Sequence, residues 1–187
     1  MSLQLITPPA IEPVTLADAK LHLKVDTSDD DALITDLITT ARSRAEWHTQ
    51  RALNTQGWIL WLDCWPPCGV IEIPLPPLQS VTSVTVYALD DSAKVLDPAT
   101  YQVDAVSAPA RLTLKSTVSP PTNLRAINAV AIAFTAGYGD DADDVPAGFR
   151  AAVLELIAFL YEHRGEAPAE FPIDALALLA PFRILHL

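Results

Sequence analysis

Val81-Thr82-Ser83-Val84-Thr85-Val86-Tyr87 decides the fold class. It is rich in β-branched residues, alternates apolar and polar side chains, and stops at a turn, Asp90-Asp91. Period two with β-branched residues marks a half-buried strand. Similar stretches surround it. Trp58-Ile59-Leu60-Trp61-Leu62 reads as one strand, and Val70-Ile71-Glu72-Ile73 as another, bounded by Pro74, Pro76 and Pro77. Tyr101 to Val103, Arg111 to Leu114 and Ala129 to Phe134 bring the total to about six. Proline lacks a ladder donor, so the prolines between these runs cap strands and restrict slippage. An antiparallel β module over residues 57–139 follows, closed by Gly137-Tyr138-Gly139.

On both sides of this module the period changes. Residues 1–14 are proline-rich and read as extended. Thr15-Leu16-Ala17-Asp18 then opens a helix, because a Thr hydroxyl and an Asp carboxylate three residues on can satisfy free amide groups. This helix is expected to run to about Val25. After Asp26-Thr27-Ser28, a second cap at Ser28 opens a helix from about Asp29 to Ala52, with Asp29, Asp30 and Asp31 at its positive end. Leu33, Ile34, Leu37, Ile38, Ala41, Ala45 and Trp47 or His48 form its stripe, and its length is about 35 Å at about 1.5 Å per residue. Arg42, Arg44, Glu46 and Arg51 lie off that stripe and are expected to face water or a neighbour. On the C-terminal side, Pro146 suits a first helical position. A third helix to His163 turns Phe149, Ala152, Val153, Leu156, Ile157 and Leu160 inward, and Gly165 stops it.

The fold class expected is therefore α+β: a small antiparallel helical bundle with an inserted antiparallel β module and an extended C-terminal tail. Residues 1–56 form the N-terminal helical part, 57–139 the β module, 140–165 the last bundle helix and 166–187 a partner-binding tail. Within the tail, Ile173 to Ala180 can form a short helix, and Pro181 breaks it. Leu178, Leu179, Phe182, Arg183, Ile184, Leu185 and Leu187 are the candidate partner contacts, because a terminus this apolar needs a cover.

Composition narrows the function. In 187 residues, half apolar, 23 acidic side chains stand against 12 Lys and Arg, a formal net of -11. An acidic surface repels phosphate, so general nucleic-acid binding is excluded. The N-terminus lacks a basic region followed by a long apolar run, and no stretch reaches the ~18 apolar residues that span a bilayer. We expect no membrane association and synthesis in the cytosol.

Catalytic and metal patterns are missing. The sequence has six glycines and no phosphate loop. It has no His-Glu-x-x-His and no Gly-x-Ser-x-Gly. Cys64 and Cys68, in Cys-Trp-Pro-Pro-Cys, have no second pair to complete a zinc site, and His22, His48, His163 and His186 lie far off. Two prolines strain a disulfide between them, so they read as reduced, packed thiols. Trp58, Trp61 and Trp65 read as core residues in preference to a sugar platform. Asp140, Asp141, Asp143 and Asp144 read as a helix cap and solvated charge. We expect no enzyme, no cofactor and no metal. The rival of a different class is a small enzyme or carbohydrate-binding module built on the tryptophan strand and this acidic loop.

The order of short motifs adds a resemblance. Glu12-Pro13-Val14-Thr15-Leu16-Ala17-Asp18-Ala19-Lys20, then Leu23-Lys24-Val25 and Asp29-Asp30-Asp31-Ala32-Leu33-Ile34, resembles the opening of phage head–tail connector (adaptor) proteins. Ala41-Arg42, Glu46 and Thr49-Gln50-Arg51-Ala52-Leu53 continue it. So do Ile73-Pro74-Leu75-Pro76-Pro77-Leu78, Ser80-Val81, Tyr101-Gln102-Val103-Asp104, Phe134-Thr135-Ala136-Gly137-Tyr138-Gly139 and Val145-Pro146. Leu178-Leu179-Ala180-Pro181-Phe182-Arg183 is similar to the family's ending. Gly57 and Trp47-His48-Thr49 depart from the pattern. The resemblance implies a structural subunit of the neck of a virion or phage-like particle, gene transfer agents included, assembled in the host cytoplasm. It implies a ring, usually of twelve copies, that joins the portal to the next neck, stopper or tail protein. DNA passes through such a ring without specific binding, and Asp140, Asp141, Asp143 and Asp144 are the candidate channel-facing acids. The alternative within virions is another neck or tail-completion protein.

Overall fold

The computed structural model describes residues 1–164 and 172–184. It divides into two compact units, one of strands (Met1–Pro8 and Thr55–Gly137) and one of helices (Pro9–Asn54 and Tyr138–Leu187). The fold is mixed α+β with antiparallel sheets and helices segregated from them, as the change of period implies.

The strand unit holds a five-stranded antiparallel sheet in the order β1-β2-β8-β4-β5 and a three-stranded one in the order β3-β7-β6. Its strands are β1 (Ser2–Thr7), β2 (Gln56–Leu62), β3 (Val70–Ile73), β4 (Leu78–Tyr87), β5 (Ala93–Val95), β6 (Tyr101–Asp104), β7 (Ala110–Leu114) and β8 (Val130–Ala136). β8 lies between β2 and β4, pairing Leu60 with Ile132 and Val84 with the same residue from the other side. All three are fully buried. Register shifts between Leu78/Ser80 and Val81/Ser83 break the strict alternation of β4. Each extra residue re-aims the strand, so Leu78, Val81 and Val84 turn inward at intervals of three before Val86 resumes period two.

Two strands were not read from the sequence. Ser2–Thr7 reads only as extended in the sequence, yet it pairs with β2 from Ser2↔Trp61 to Thr7↔Gly57. All six residues are exposed, so β1 is held by its ladder and not by a buried face. Gly57 suits this edge, since a β-carbon there would sit 3.1 Å from the Thr7 side chain. β5 has three exposed residues on the opposite edge.

The helical unit contains α1 (Leu16–Leu23), α2 (Asp31–Thr49), α3 (Ala147–Glu162) and α4 (Ile173–Leu179). Their shared core includes Ala19, Ile34, Ile38, Ala41, Ala45, Phe149, Ala152, Val153, Leu156, Ala175 and Leu179. α1 starts as its sequence dictates. The Thr15 hydroxyl accepts from the Asp18 N–H at 3.1 Å, and the Thr15 N–H points at Asp18 Oδ2. It ends at Lys24 in the left-handed conformation.

α2 differs from expectation at both ends. Ser28 does not cap it with a side chain; the backbone carbonyl of Ser28 accepts from Asp31, and Asp30 takes the cap position. The aspartates are drawn to other partners. Asp31 pairs with Lys20 at 2.6 Å, and Asp30 accepts from Tyr161 of α3 and from Arg164 just beyond it. Trp47 is not on the buried stripe, being 72% exposed, whereas Arg42, expected to face water, is buried.

Candidate assembly surfaces

The burial of Arg42 has a chemical cause. Its Nε donates to Glu12 Oε2 at 2.7 Å, and its Nη1 to Glu46 Oε2 at 2.6 Å. The other oxygen of Glu46 accepts from the Leu53 N–H at 2.9 Å. A guanidinium offers several donors in a fixed fork, so one Arg42 can join the N-terminal arm, α2 and the chain beyond it. At the opposite end of α2, the Tyr161 hydroxyl, and then Arg164, hold the Asp30 carboxyl below its ordinary value. The first turn of α2 and the last of α3 are thus tied by charged hydrogen bonds.

The acidic loop forms a 3-10 turn, Ala142–Asp144, directly before α3. Asp144 bends back so that its Oδ2 accepts from the Asp141 N–H at 3.0 Å. Asp143 pairs with Arg150 of α3. Asp140, Asp141, Asp143 and Asp144 are all exposed, so the loop joins a local cap to a solvated patch of negative charge.

An open cleft of about 1030 Å³ runs along this loop, between α1 and α3. Val14, Leu21, Ala147, Ala151 and Leu154 give it apolar walls, and Asp18, Asp141, Asp143 and Asp144 rim it, with Arg150 as a basic element. Leu21 is 81% exposed, an expensive placement for a large apolar side chain in water.

Across the unit, the outer face of α2 carries Thr39, Thr40, Ser43, Arg44 and the protruding Trp47. His48 beside it has its pKa lowered, first by partial burial and then by the positive charge of Arg183. The neighbouring Ile184 N–H donates to the carbonyl of Thr49, so Arg183 lies near the C-terminal end of α2.

The tail residues divide between core and surface. α4 packs on α3, and Leu179 is fully buried in the chain's own core. Phe182 stacks on Phe149 with ring centroids 4.2 Å apart and lies over Gly148, where a β-carbon would meet the ring at 2.9 Å. Arg51 Nε donates to the Phe182 carbonyl at 2.6 Å, and the Ile184 N–H donates to the Thr49 carbonyl at 3.3 Å. Leu178 and Arg183 are exposed, and Ile184 is half-buried. Leu185 and Leu187 lie outside the described residues, as do Gly165 and most of the 166–172 segment.

Nothing in the described residues gathers catalytic chemistry. Among them, no group of three His, Cys, Asp or Glu is placed to hold a metal ion. No described helix is long and apolar enough to cross a membrane. Cys64 and Cys68 are free thiols and exposed, not packed as expected; they lie in the proline-rich loop between β2 and β3. The tryptophans do not form a common platform. Trp65 is buried, and Trp61 donates from its indole N–H to Gln4 at 3.1 Å while its ring lies 6.0 Å from Tyr87.

Comparison with known proteins follows the same line. A chain in the virion of a native gene transfer agent (GTA) particle matches with a TM-score of 0.84 and 24% identity, covering 100% of this chain and 97% of that one. Chains in the neck of an empty GTA particle with C6 symmetry and of a native GTA particle with C12 symmetry match with TM-scores of 0.86 and 0.84, at the same identity and coverage. These likenesses establish a shared fold over the whole chain. No curated protein matches. The family model described as phage gp6-like head-tail connector protein matches residues 13–116, more than half the sequence and spanning both the capped helices and most of the strand unit. The chain belongs to the phage gp6-like head–tail connector family.

Proposed function

We propose that this chain is a non-enzymatic building block of a phage-type neck, one of a ring of copies between the portal and the next neck or tail protein. The observation that carries the reading is the connector-family match over residues 13–116. The full-length fold likeness to a chain from a C12-symmetric GTA neck supports it. The ring works by geometry and charge. Its subunits meet neighbours through the helical unit, and its bore passes DNA because carboxylates repel phosphate. Asp140, Asp141, Asp143 and Asp144 are the acids we assign to the channel side, since all four are exposed.

The C-terminal end docks on the portal in this reading. Leu179 and Phe182 anchor the tail to its own subunit, while Leu178, Arg183 and Ile184 present the segment that ends in Leu185 and Leu187. Purified protein mixed with portal and imaged by electron microscopy tests the whole reading. Rings stacked coaxially on the portal are expected. A chain that stays monomeric at every concentration and ignores the portal overturns it.

A further inference from the structure

α2 and α3 face each other through the core. α2 turns Ile34, Ile38, Ala41 and Ala45 inward, and α3 turns Phe149, Ala152, Val153 and Leu156 inward. Their outer faces must then point away from each other on opposite sides of the unit. Those faces differ in shape and sign. The α2 face is a ridge: Trp47 stands out among the small side chains Thr40 and Ser43, with Arg44 one turn before it. The α1–α3 face is the cleft with apolar walls and a rim of Asp18, Asp141, Asp143 and Asp144, whose four carboxylates outnumber the one guanidinium of Arg150.

We infer that the Trp47 ridge of one subunit seats in the α1–α3 cleft of the next copy of this chain. The ring reading is its premise, and the inference says which surfaces close that ring. Three features favour a second copy as occupant. Ridge and cleft are complementary, aromatic into apolar and arginine against aspartate, and such charge pairing selects partner and orientation. They are different surfaces on opposite sides of one body, so joining them is a head-to-tail contact, the kind that closes into a ring. Each subunit also covers two exposures at once, Trp47 at 72% and Leu21 at 81%. Tryptophan and arginine are the side chains that dominate protein interfaces. On this account Asp141, Asp143 and Asp144 of the channel-side loop lie at the junction between copies, and Asp140 is the acid of that loop that stays clear of it.

The test replaces Trp47 with a benzophenone amino acid in the full chain, mixes isotopically light and heavy protein, assembles rings on portal and irradiates them. The expected products join position 47 of one isotope to peptides of the other that contain Leu21 or Ala147 to Leu154. Crosslinks between copies elsewhere, crosslinks only to portal, or rings with no crosslink between copies overturn the inference and leave the ring intact. Absence of any ring in wild-type protein overturns the ring reading and this inference with it. A mixing experiment gives a second readout. Trp47→Glu and Leu21→Glu should each abolish rings when alone, and an equimolar mixture should form heterodimers, because one intact ridge still meets one intact cleft. A mixture that remains monomeric speaks against head-to-tail seating.

Discussion

The carboxylate of Asp144 occupies the space beside Gly139 where a side chain would begin: a β-carbon on residue 139 would lie 2.0 Å from Asp144 Oδ2 and 2.6 Å from its own β-carbon. The same carboxylate accepts from the Asp141 N–H. Gly139 is thus needed for the close approach that lets the acidic loop cap itself before α3. Gly139→Ala should destabilise the protein by about 1–3 kcal/mol, the range for overpacking a fixed site. Asp144→Ala in that background should recover part of the loss, because the closest clash, with the carboxylate at 2.0 Å, goes while the one with the β-carbon at 2.6 Å stays. Denaturant midpoints for the four members of the cycle measure the coupling. Additive effects of the two changes would contradict the packing described.

Arg42 supports a second prediction. It lies between the Glu12 and Glu46 carboxylates, and its side chain retains only 10% of its surface in water. Arg42→Met leaves two half-buried carboxylates facing each other across an apolar side chain. The expected cost is about 3 kcal/mol, toward the low end for breaking a buried ion pair because Glu12 keeps some solvent contact. Replacing Glu12 and Glu46 with Gln in the Arg42→Met background should restore much of it. An urea midpoint unchanged by Arg42→Met would show that the cluster contributes nothing net.

Asp104 gives a pH prediction. Arg111, and then the Ser107 hydroxyl and N–H, hold its carboxyl well below the ordinary range. The Arg111 Nη2 approaches Asp104 Oδ2 at 2.6 Å. A depressed folded-state pKa means that the group stabilises the fold above its unfolded value of about 3.9 and loses that contribution as pH falls toward the folded value. Asp104→Asn should therefore lower the melting temperature at pH 7, and the gap from wild type should narrow as pH drops below about 4. A gap that stays constant or widens on acidification is incompatible with this sign.

The cap of α1 and the central strands were legible because their signals are local. Thr15 and Asp18 carry the cap of α1 within four residues, and Val70–Ile73 is the strand its prolines and alternation mark out. Features set by distant partners were not. Arg42 lies off the α2 stripe and reads as facing water or a neighbour, and local spacing does not reveal Glu12, thirty residues away in sequence, which shares its burial with Glu46. β1 has no buried face to create a pattern, so nothing but its pairing with β2 defines it. The α2 stripe can end in Trp47 or His48 by sequence, and helical spacing from Ser43 and Arg44 puts Trp47 on the outer face. The cleft depends on α1 lying against α3, which no local motif encodes.

The tail tests how a chain can anchor a segment and still present it. The apolar set from Leu178 to Leu187 reads in sequence as a surface for a partner. The described part instead places Leu179 in the core and Phe182 between Phe149 and Gly148. The reason is the small residue at position 148, which leaves room on α3 for an aromatic ring. Two truncations should then behave differently. Removing residues 173–187 strips Leu179 and Phe182 from the core and should unfold or strongly destabilise the helical unit, since loss of one buried Leu alone costs about 2–5 kcal/mol. Removing only residues 185–187 leaves those anchors in place and should keep the melting temperature within a few degrees. In the proposed neck role it should also abolish attachment to portal-bearing heads, measured by co-sedimentation. Full attachment by the shorter truncation would move the docking surface away from the C-terminal end. A stable, folded product of the longer one would mean that Leu179 and Phe182 do not hold the unit together.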